Sequence, residues 1–303
     1  MKALYELAKL SKQAHWKWVK RQEFMMDKYL LLDVVLTDWR SRHPAMSLKK
    51  LHHKIQPDFI GVNAFTTYGM THGFEPVSYK KSPKISVLGE SPDYPNLLID
   101  LKISDINQVW VSDTTYFKIN GVWFYITFVM DLYSRRIIGY HADKTLLAAA
   151  HLKALEMAIL TRAVTAYDHR LIHHSDRGVQ YKSNLYADAL KAAQINISMG
   201  RIVYDNIHIE RVHQTIKGEY LIHRNIQSEK NLKYHLQKDV RLYNEERPHL
   251  SLKKMTPGEF ESYLSNVPLC QRNLMSVFAL RKNKRSRGRK SQQVDENQLV
   301  LEF

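Results

Sequence analysis

The chain has 303 residues, 44% of them hydrophobic, which suggests about two domains and allows a sizeable core. Its 45 Lys and Arg outnumber 30 Asp and Glu, and a net charge of +15 favours a polyanionic partner such as nucleic acid or an acidic membrane surface. The single cysteine, Cys270, excludes an internal disulfide and a multi-cysteine zinc site and fits a reducing compartment; no stretch approaches the ~18 uncharged apolar residues of a membrane span, and Met1 to Leu10 lacks a signal-peptide apolar run.

Residues 1–75 read as helical and basic, with 12 Lys and Arg before residue 61 against six acids. Leu4, Leu7, Leu10 and Ala14 carry helical spacing for a first helix, and Leu30, Val34 and Leu36 mark another. Ser47 stands as the N-cap of a helix over Leu48 to Ile55, and after Pro57 and Gly61 a second helix is predicted over Val62 to His72, giving a helix-turn-helix outline. Pro76, Pro83, Gly89, Pro92 and Pro95 then break the pattern, so 76–106 is expected to be a linker.

Val109 to Phe117, Val122 to Met130 and Arg136 to Ala142 are rich in β-branched and aromatic residues. The turns Asn120-Gly121 and Ser134-Arg135 separate them, which predicts an antiparallel meander. A helix over Leu146 to Arg162 follows, then a strand at Leu171 to His174, a helix at Asn184 to Ala193, a strand at Ile195 to Met199 and a helix from about Asn206 to His223. Crossover helices require strands that return in parallel, so the expected fold is α/β: a mixed five-stranded sheet covered by helices over 107–225. Lys230 to Tyr243 is amphipathic, within a helical flank over 226–265. The rest, 266–303, reads as a basic tail, because Arg281 to Lys290 holds seven Lys and Arg in ten residues and predicts a disordered arm.

Three acids occupy places where a carboxylate is hard to justify structurally. Asp113 follows Val109-Trp110-Val111 on a strand expected to be central, Asp176 follows the strand ending at His174, and Glu210 lies near the start of the last helix. Taken singly, each has a bland role as a cap, turn or surface residue. If the first and fourth strands are neighbours, both aspartates meet at one sheet end and the helix lays Glu210 across them. Crowded carboxylates repel, and divalent cations resolve that: Mg²⁺ takes oxygen ligands, and two ions about 3.5 to 4 Å apart support in-line displacement at phosphorus. Lys217, seven residues after Glu210, would return to within ~20° of the same helix face and hold a phosphate beside the metals.

Four ordered blocks carry a resemblance. They are Gln108-Val109-Trp110-Val111-Ser112-Asp113-Thr114-Thr115-Tyr116; His174-Ser175-Asp176-Arg177-Gly178 with Gln180-Tyr181; Asp205-Asn206 with Glu210 and Lys217; and Tyr243-Asn244 with Arg247-Pro248-His249 and Thr256-Pro257. Together they span about 107–260, and the chain resembles insertion-sequence transposases of the DDE, retroviral-integrase-like superfamily, in the bacterial family conventionally numbered three.

The resemblance implies a ribonuclease-H-like fold with an all-helical N-terminal DNA-binding region. It implies two Mg²⁺ ions, replaceable by Mn²⁺, on Asp113, Asp176 and Glu210 as catalytic and metal-ligating residues. It also implies water-driven cleavage of double-stranded DNA at an element's end, then attack of the freed 3′-hydroxyl on target DNA with no covalent enzyme intermediate. A homo-oligomer on paired ends and a cytoplasmic, nucleoid-associated location are expected, with a separate upstream DNA-binding subunit as a possible further partner. Expected DNA contacts are Lys217, Arg177, Asn206, Lys49, Lys50 and, in the arm, Arg281, Lys282, Lys284, Arg285, Arg287, Arg289 and Lys290.

The chain departs from the family pattern in two places. Thr66, Thr67 and Tyr68 stand where the second N-terminal helix usually has basic residues, leaving Asn63 as the residue able to contact adenine. Only 33 residues separate Asp176 from Glu210, two fewer than is common, with the shortening placed in the Gly200 to Tyr204 loop; Asp205 or Glu219 is the fallback third ligand. The rival readings are a catalytically idle DNA-binding regulator and a ribonuclease-H-like nuclease that cuts without joining.

Overall fold

The computed structural model describes residues 11–77, 94–163, 171–200 and 207–277, together with Tyr5 and Leu7. The expected first helix through Leu4 and Leu10 and the arm at 281–290 therefore lie largely or wholly outside the described residues. The expected helix marked by Leu30, Val34 and Leu36 is part of a longer helix α1 (Lys12–Arg42) of 31 residues, with the Ser11 hydroxyl accepting from the Ala14 N–H at its start. Leu32 and Leu36 face inward while Leu30 and Val34 lie exposed, because α1 is apolar on both sides and packing on its neighbours decides which side is buried. Those neighbours are α2 (Leu48–Ile55) and α3 (Val62–Thr71), which enclose Leu51, Ile60 and Phe65 with α1. Ser47 does precede α2, but its hydroxyl makes no capping bond.

The chain continues through β1 (Lys102–Ile103), β2 (Val109–Ile119), β3 (Val122–Asp131), β4 (Ile137–Asp143), α4 (Ala148–Thr161), β5 (Ile172–Ser175), α5 (Val179–Lys182), α6 (Asn184–Ala192), β6 (Asn196–Met199), α7 (Ile207–Thr215), α8 (Glu229–Glu245), α9 (Pro257–Ser265) and β7 (Met275–Ser276). The sheet order is β4-β3-β2-β5-β6, with β2 antiparallel to β3 and parallel to β5, the mixed five-stranded arrangement expected of a ribonuclease-H-like fold. Asn120 and Gly121 both take positive φ, 47° and 87°, the backbone that a two-residue hairpin turn between twisted strands demands. At the β3–β4 turn the Asp131 carboxylate accepts from the Tyr133 and Ser134 N–H groups at 3.0 and 2.9 Å.

Alternation along β2 divides the core. Val109 and Val111 face α7 and α8 with Ile209, Val212 and Leu236, while Trp110 faces α4 to α6 with Leu155, Tyr186 and Leu190. Gly139 is required on β4, since a Cβ there would overlap the Ala154 carbonyl of α4. Residues 94–106 and 266–277, expected as linker and tail, instead bring β1 against β7 and seat Leu98 and Ile103 in the core.

The expected last helix of the sheet unit is not uniform. After α7 comes a π-helical turn, Ile216–Tyr220, and then a single 3₁₀ turn, Leu221–His223. From this turn Lys217 reaches β2, Glu219 reaches Arg247 beyond α8, and the Tyr220 hydroxyl reaches Nδ1 of His43 at 3.0 Å. The N-terminal helices thus pack onto the sheet unit: the His43 Nε2–H donates to Glu246 at 3.1 Å, Arg224 donates to the Ser41 and Arg42 carbonyls, and Lys54 pairs with Glu259 at 2.6 Å. Burial, with Arg42, Arg224, Arg247 and Arg40 around it, pushes His43 down to about 3, outweighing the nearby Glu246, so the ring is neutral at pH 7.

Candidate active site

In the parallel β2–β5 ladder, Val111 pairs with His174. Two residues further along each strand direction stand Asp113 and Asp176, so the register carries both aspartates to the same end of the sheet, on the face that α7 covers. The Asp113 side chain is 17% exposed; its Oδ1 accepts from the Thr114 N–H at 2.8 Å and its Oδ2 lies 3.6 Å from Nδ1 of His213. Asp176 lies at the rim, just past β5, with Oδ1 accepting from the Gly178 N–H at 3.0 Å. Its side chain reaches solvent, yet the dense protein behind it raises its pKa, against the opposing pull of the Gly178 N–H and His151.

Glu210 sits in the first turn of α7, one turn before His213 and so on the helix side that meets Asp113. Among the described residues no three His, Cys, Asp or Glu side chains are grouped so as to hold a metal ion, so Asp113, Asp176 and Glu210 do not form a closed ligand set here. The fallback Glu219 is engaged elsewhere, accepting two bonds from Arg247 at 2.7 and 2.6 Å. Asp205 and Asn206 lie outside the described residues, as do most of the Gly200 to Tyr204 loop and Arg281, Lys282, Lys284, Arg285, Arg287, Arg289 and Lys290.

Lys217 arrives by a different route from the α-helical spacing expected of it, because the π turn intervenes. Its Nζ donates to Thr115 Oγ1 at 3.2 Å and stands 4.7 Å from the centre of the Tyr116 ring, two residues along β2 from Asp113. Arg177 folds back, its Nε donating to the Gly200 carbonyl at 3.0 Å. On α2, Lys49 is exposed, but Lys50 is half-buried beside Arg247 and Glu219, and burial with the Arg247 charge lowers it to about 8. Of the two, only Lys49 has its side chain open to solvent. Sequence reasoning gave no role to His213 or His151. Both lie on helices far from either aspartate in sequence, and only tertiary packing brings them to the site.

The donor set is all oxygen: two carboxylates in register, each with one oxygen oriented by a backbone N–H, and a third carboxylate on the covering helix. That chemistry suits a hard divalent cation rather than a soft transition metal.

An Integrase core domain profile matches residues 104–204, and a second Integrase core domain profile matches residues 192–257. The "Putative transposase for insertion sequence element IS986/IS6110" of Mycobacterium tuberculosis (strain CDC 1551 / Oshkosh) is 37% identical over 119 residues, covering 38% of this chain and 43% of that protein. "Transposase InsF for insertion sequence IS3A" of Escherichia coli (strain K12) is 32% identical over 197 residues, covering 62% of this chain and 64% of that protein. The matches thus span less than two thirds of these relatives' own length. Among solved structures, the HTLV-2 integrase catalytic core domain in complex with magnesium (trimeric form) overlays with a TM-score of 0.42 at 16% identity, covering 56% of this chain and 99% of that one. At that score the sheet order, not the overlay, carries the fold assignment.

Proposed function

We propose, for a chain that belongs to the insertion-sequence transposases of the DDE, retroviral-integrase-like superfamily, that it cuts DNA at the ends of a mobile element and joins those ends to a target. The observation that carries this reading is the shared register of Asp113 and Asp176 at one end of the sheet, beneath the helix that bears Glu210. Divalent cations, magnesium by the hardness of the donors, supply activation of the attacking oxygen and stabilisation of the leaving one when bound.

The chain's own groups do the rest. Asp113 and Asp176 offer carboxylate oxygens already oriented by the Thr114 and Gly178 N–H groups, and Glu210, in the first turn of α7, would be the third ligand. Lys217, held against β2, places its charge where a scissile phosphate would lie. Water attacks phosphorus and the bond to the 3′-oxygen breaks; the freed 3′-hydroxyl then attacks a target phosphodiester, displacing its 3′-oxygen. No side chain becomes covalently linked. Lys49 and the arm at 281–290 contact phosphates, and the N-terminal helices help orient the element end.

The active assembly is a homo-oligomer on paired ends, with a separate upstream DNA-binding subunit as a possible further partner in the family's manner. No helix among the described residues is long and apolar enough to cross a membrane, and the cytoplasm, where the DNA lies, is the proposed location.

The test is Glu210→Gln with flanking element DNA and Mg²⁺, mapping cuts to the nucleotide. Retained DNA affinity with cleavage lowered at least a hundredfold is expected; cleavage comparable to the parent chain refutes the assignment. A strand-transfer assay on pre-cleaved ends separates joining from cutting alone.

A further inference from the structure

The block after Asp176 includes Gln180-Tyr181, and no step above uses the tyrosine. We infer that Tyr181 is a positioning residue that ties the two aspartates together from the opposite face of the sheet, an inference that rests on the metal-site reading of Asp113 and Asp176.

Ser112 and Thr114 flank Asp113 on β2 and, by strand alternation, point away from it toward α4 to α6. There both meet one group: the Tyr181 hydroxyl lies 3.1 Å from Ser112 Oγ and 3.4 Å from Thr114 Oγ1. Tyr181 belongs to α5, directly after the Asp176 loop, and its N–H donates to the Gly178 carbonyl at 3.0 Å, while the Gly178 N–H donates to Asp176. A continuous path of hydrogen bonds therefore runs from the Asp176 carboxylate through Gly178 and Tyr181 to the residues on either side of Asp113.

The direction of these bonds follows from the donors available. His151 Nδ1 faces the Leu147 carbonyl at 3.0 Å, which only accepts, so the ring proton sits there and Nε2 accepts from the Thr114 hydroxyl at 2.9 Å. With its proton committed, the Thr114 oxygen is left as an acceptor facing the Tyr181 hydroxyl, which also meets the Ser112 hydroxyl. Tyr181 is 1% exposed and Ser112 and His151 are fully buried, so no bulk water replaces a lost partner. The ring itself is fixed, standing edge-on to His151 and Tyr186 with centroids 5.4 and 5.3 Å away. Burial, the neighbouring Tyr186 phenol and the Asp176 and Asp113 carboxylates oppose ionisation of the phenol, outweighing its bond to Ser112.

Groups that orient ligands from behind typically change metal affinity or activity 10- to 100-fold when removed. The experiment uses the full chain and Mn²⁺ as the probe, with binding read by electron paramagnetic resonance without DNA, beside cleavage kinetics. Tyr181→Phe keeps the ring and removes the hydroxyl. We expect Mn²⁺ binding about tenfold weaker, a matching rise in the Mg²⁺ concentration needed for half-maximal cleavage, and DNA affinity within about twofold of the parent. Ser112→Ala is the second variant; it should show the same shift, and the double variant should add little to either.

Unchanged Mn²⁺ binding in both single variants, while Asp113→Asn abolishes it, overturns the inference and leaves the metal site standing. Unchanged binding in Asp113→Asn as well brings down the metal-site reading and the inference with it. Loss of DNA affinity in step with Mn²⁺ binding would assign Tyr181 a general structural role and also overturns the proposal.

Discussion

Two blocks of this sequence are equally conspicuous, the one around Asp176 and the one from Tyr243 to Pro257, yet the structure uses them in opposite ways. In the second block the key polar groups are bound inside the protein. The Asn244 side chain accepts from the Ile137 N–H at 3.0 Å and donates to its carbonyl at 2.9 Å, acting as a strand neighbour to the edge of β4. Arg247 grips Glu219, and Thr256 and Glu259 form a reciprocal cap on α9 behind Pro257. In the first block Asp176 reaches solvent at the rim, with its pKa raised by the protein behind it. A recurrent motif by itself does not separate a clamp from a reactive site; where its polar groups end up does.

The strongest way to break this contrast is Asp176→Asn. A rim carboxylate dedicated to chemistry should be replaceable with little loss of stability, so the melting temperature should stay within a few degrees while cleavage falls about a thousandfold, ~4 kcal/mol of barrier at 1.36 kcal/mol per decade. A variant that melts much earlier would make Asp176 part of the scaffold.

Arg247→Met should do the reverse. It leaves Glu219, 24% exposed, without its cation next to a 9% exposed partner position, and breaking such a pair should cost about 3 kcal/mol in denaturant unfolding. Adding Glu219→Leu should restore much of the loss, since replacing a buried pair by apolar residues is often close to neutral. Full cleavage by any folded fraction of Arg247→Met would sharpen the distinction; a selective loss of cleavage at normal stability would erase it.

The sheet was readable because β-branched and aromatic runs and the Asn120-Gly121 turn are local signals, and Asp113 stood out because it follows an apolar run on a central strand. What escaped was non-local. The buried side of α1 is that of Leu32 and Leu36, not of Leu30 and Val34, a choice made by packing against α2 and α3. The π turn at Ile216–Tyr220 breaks the 3.6-residue spacing on which the placement of Lys217 relied. His43 and Tyr220 meet across 177 positions, and no periodicity announces such a contact. Lys50, an expected DNA contact, lies half-buried beside Arg247 and Glu219, a neighbourhood no local pattern shows.

Lys50 also gives the subtlest test, because it sits where the N-terminal helices meet the Arg247–Glu219 pair. Burial is the largest cause of its lowered value, the Arg247 charge adds to it and Glu219 partly offsets both, leaving about 8 against an ordinary 10.5. Between those two values the unfolded chain holds more protons than the folded one, so this lysine makes stability rise with pH across that window and imposes a penalty below it. Lys50→Met should therefore raise stability at pH 7 and flatten the rise between pH 8 and 10, measured as unfolding midpoints in a pH series. DNA affinity should barely move in that variant, whereas Lys49→Met should weaken binding and reduce the salt slope by about 1. If Lys50→Met instead weakened DNA binding and left the pH series unchanged, this corner of the molecule would belong to the nucleic-acid surface rather than to the clamp.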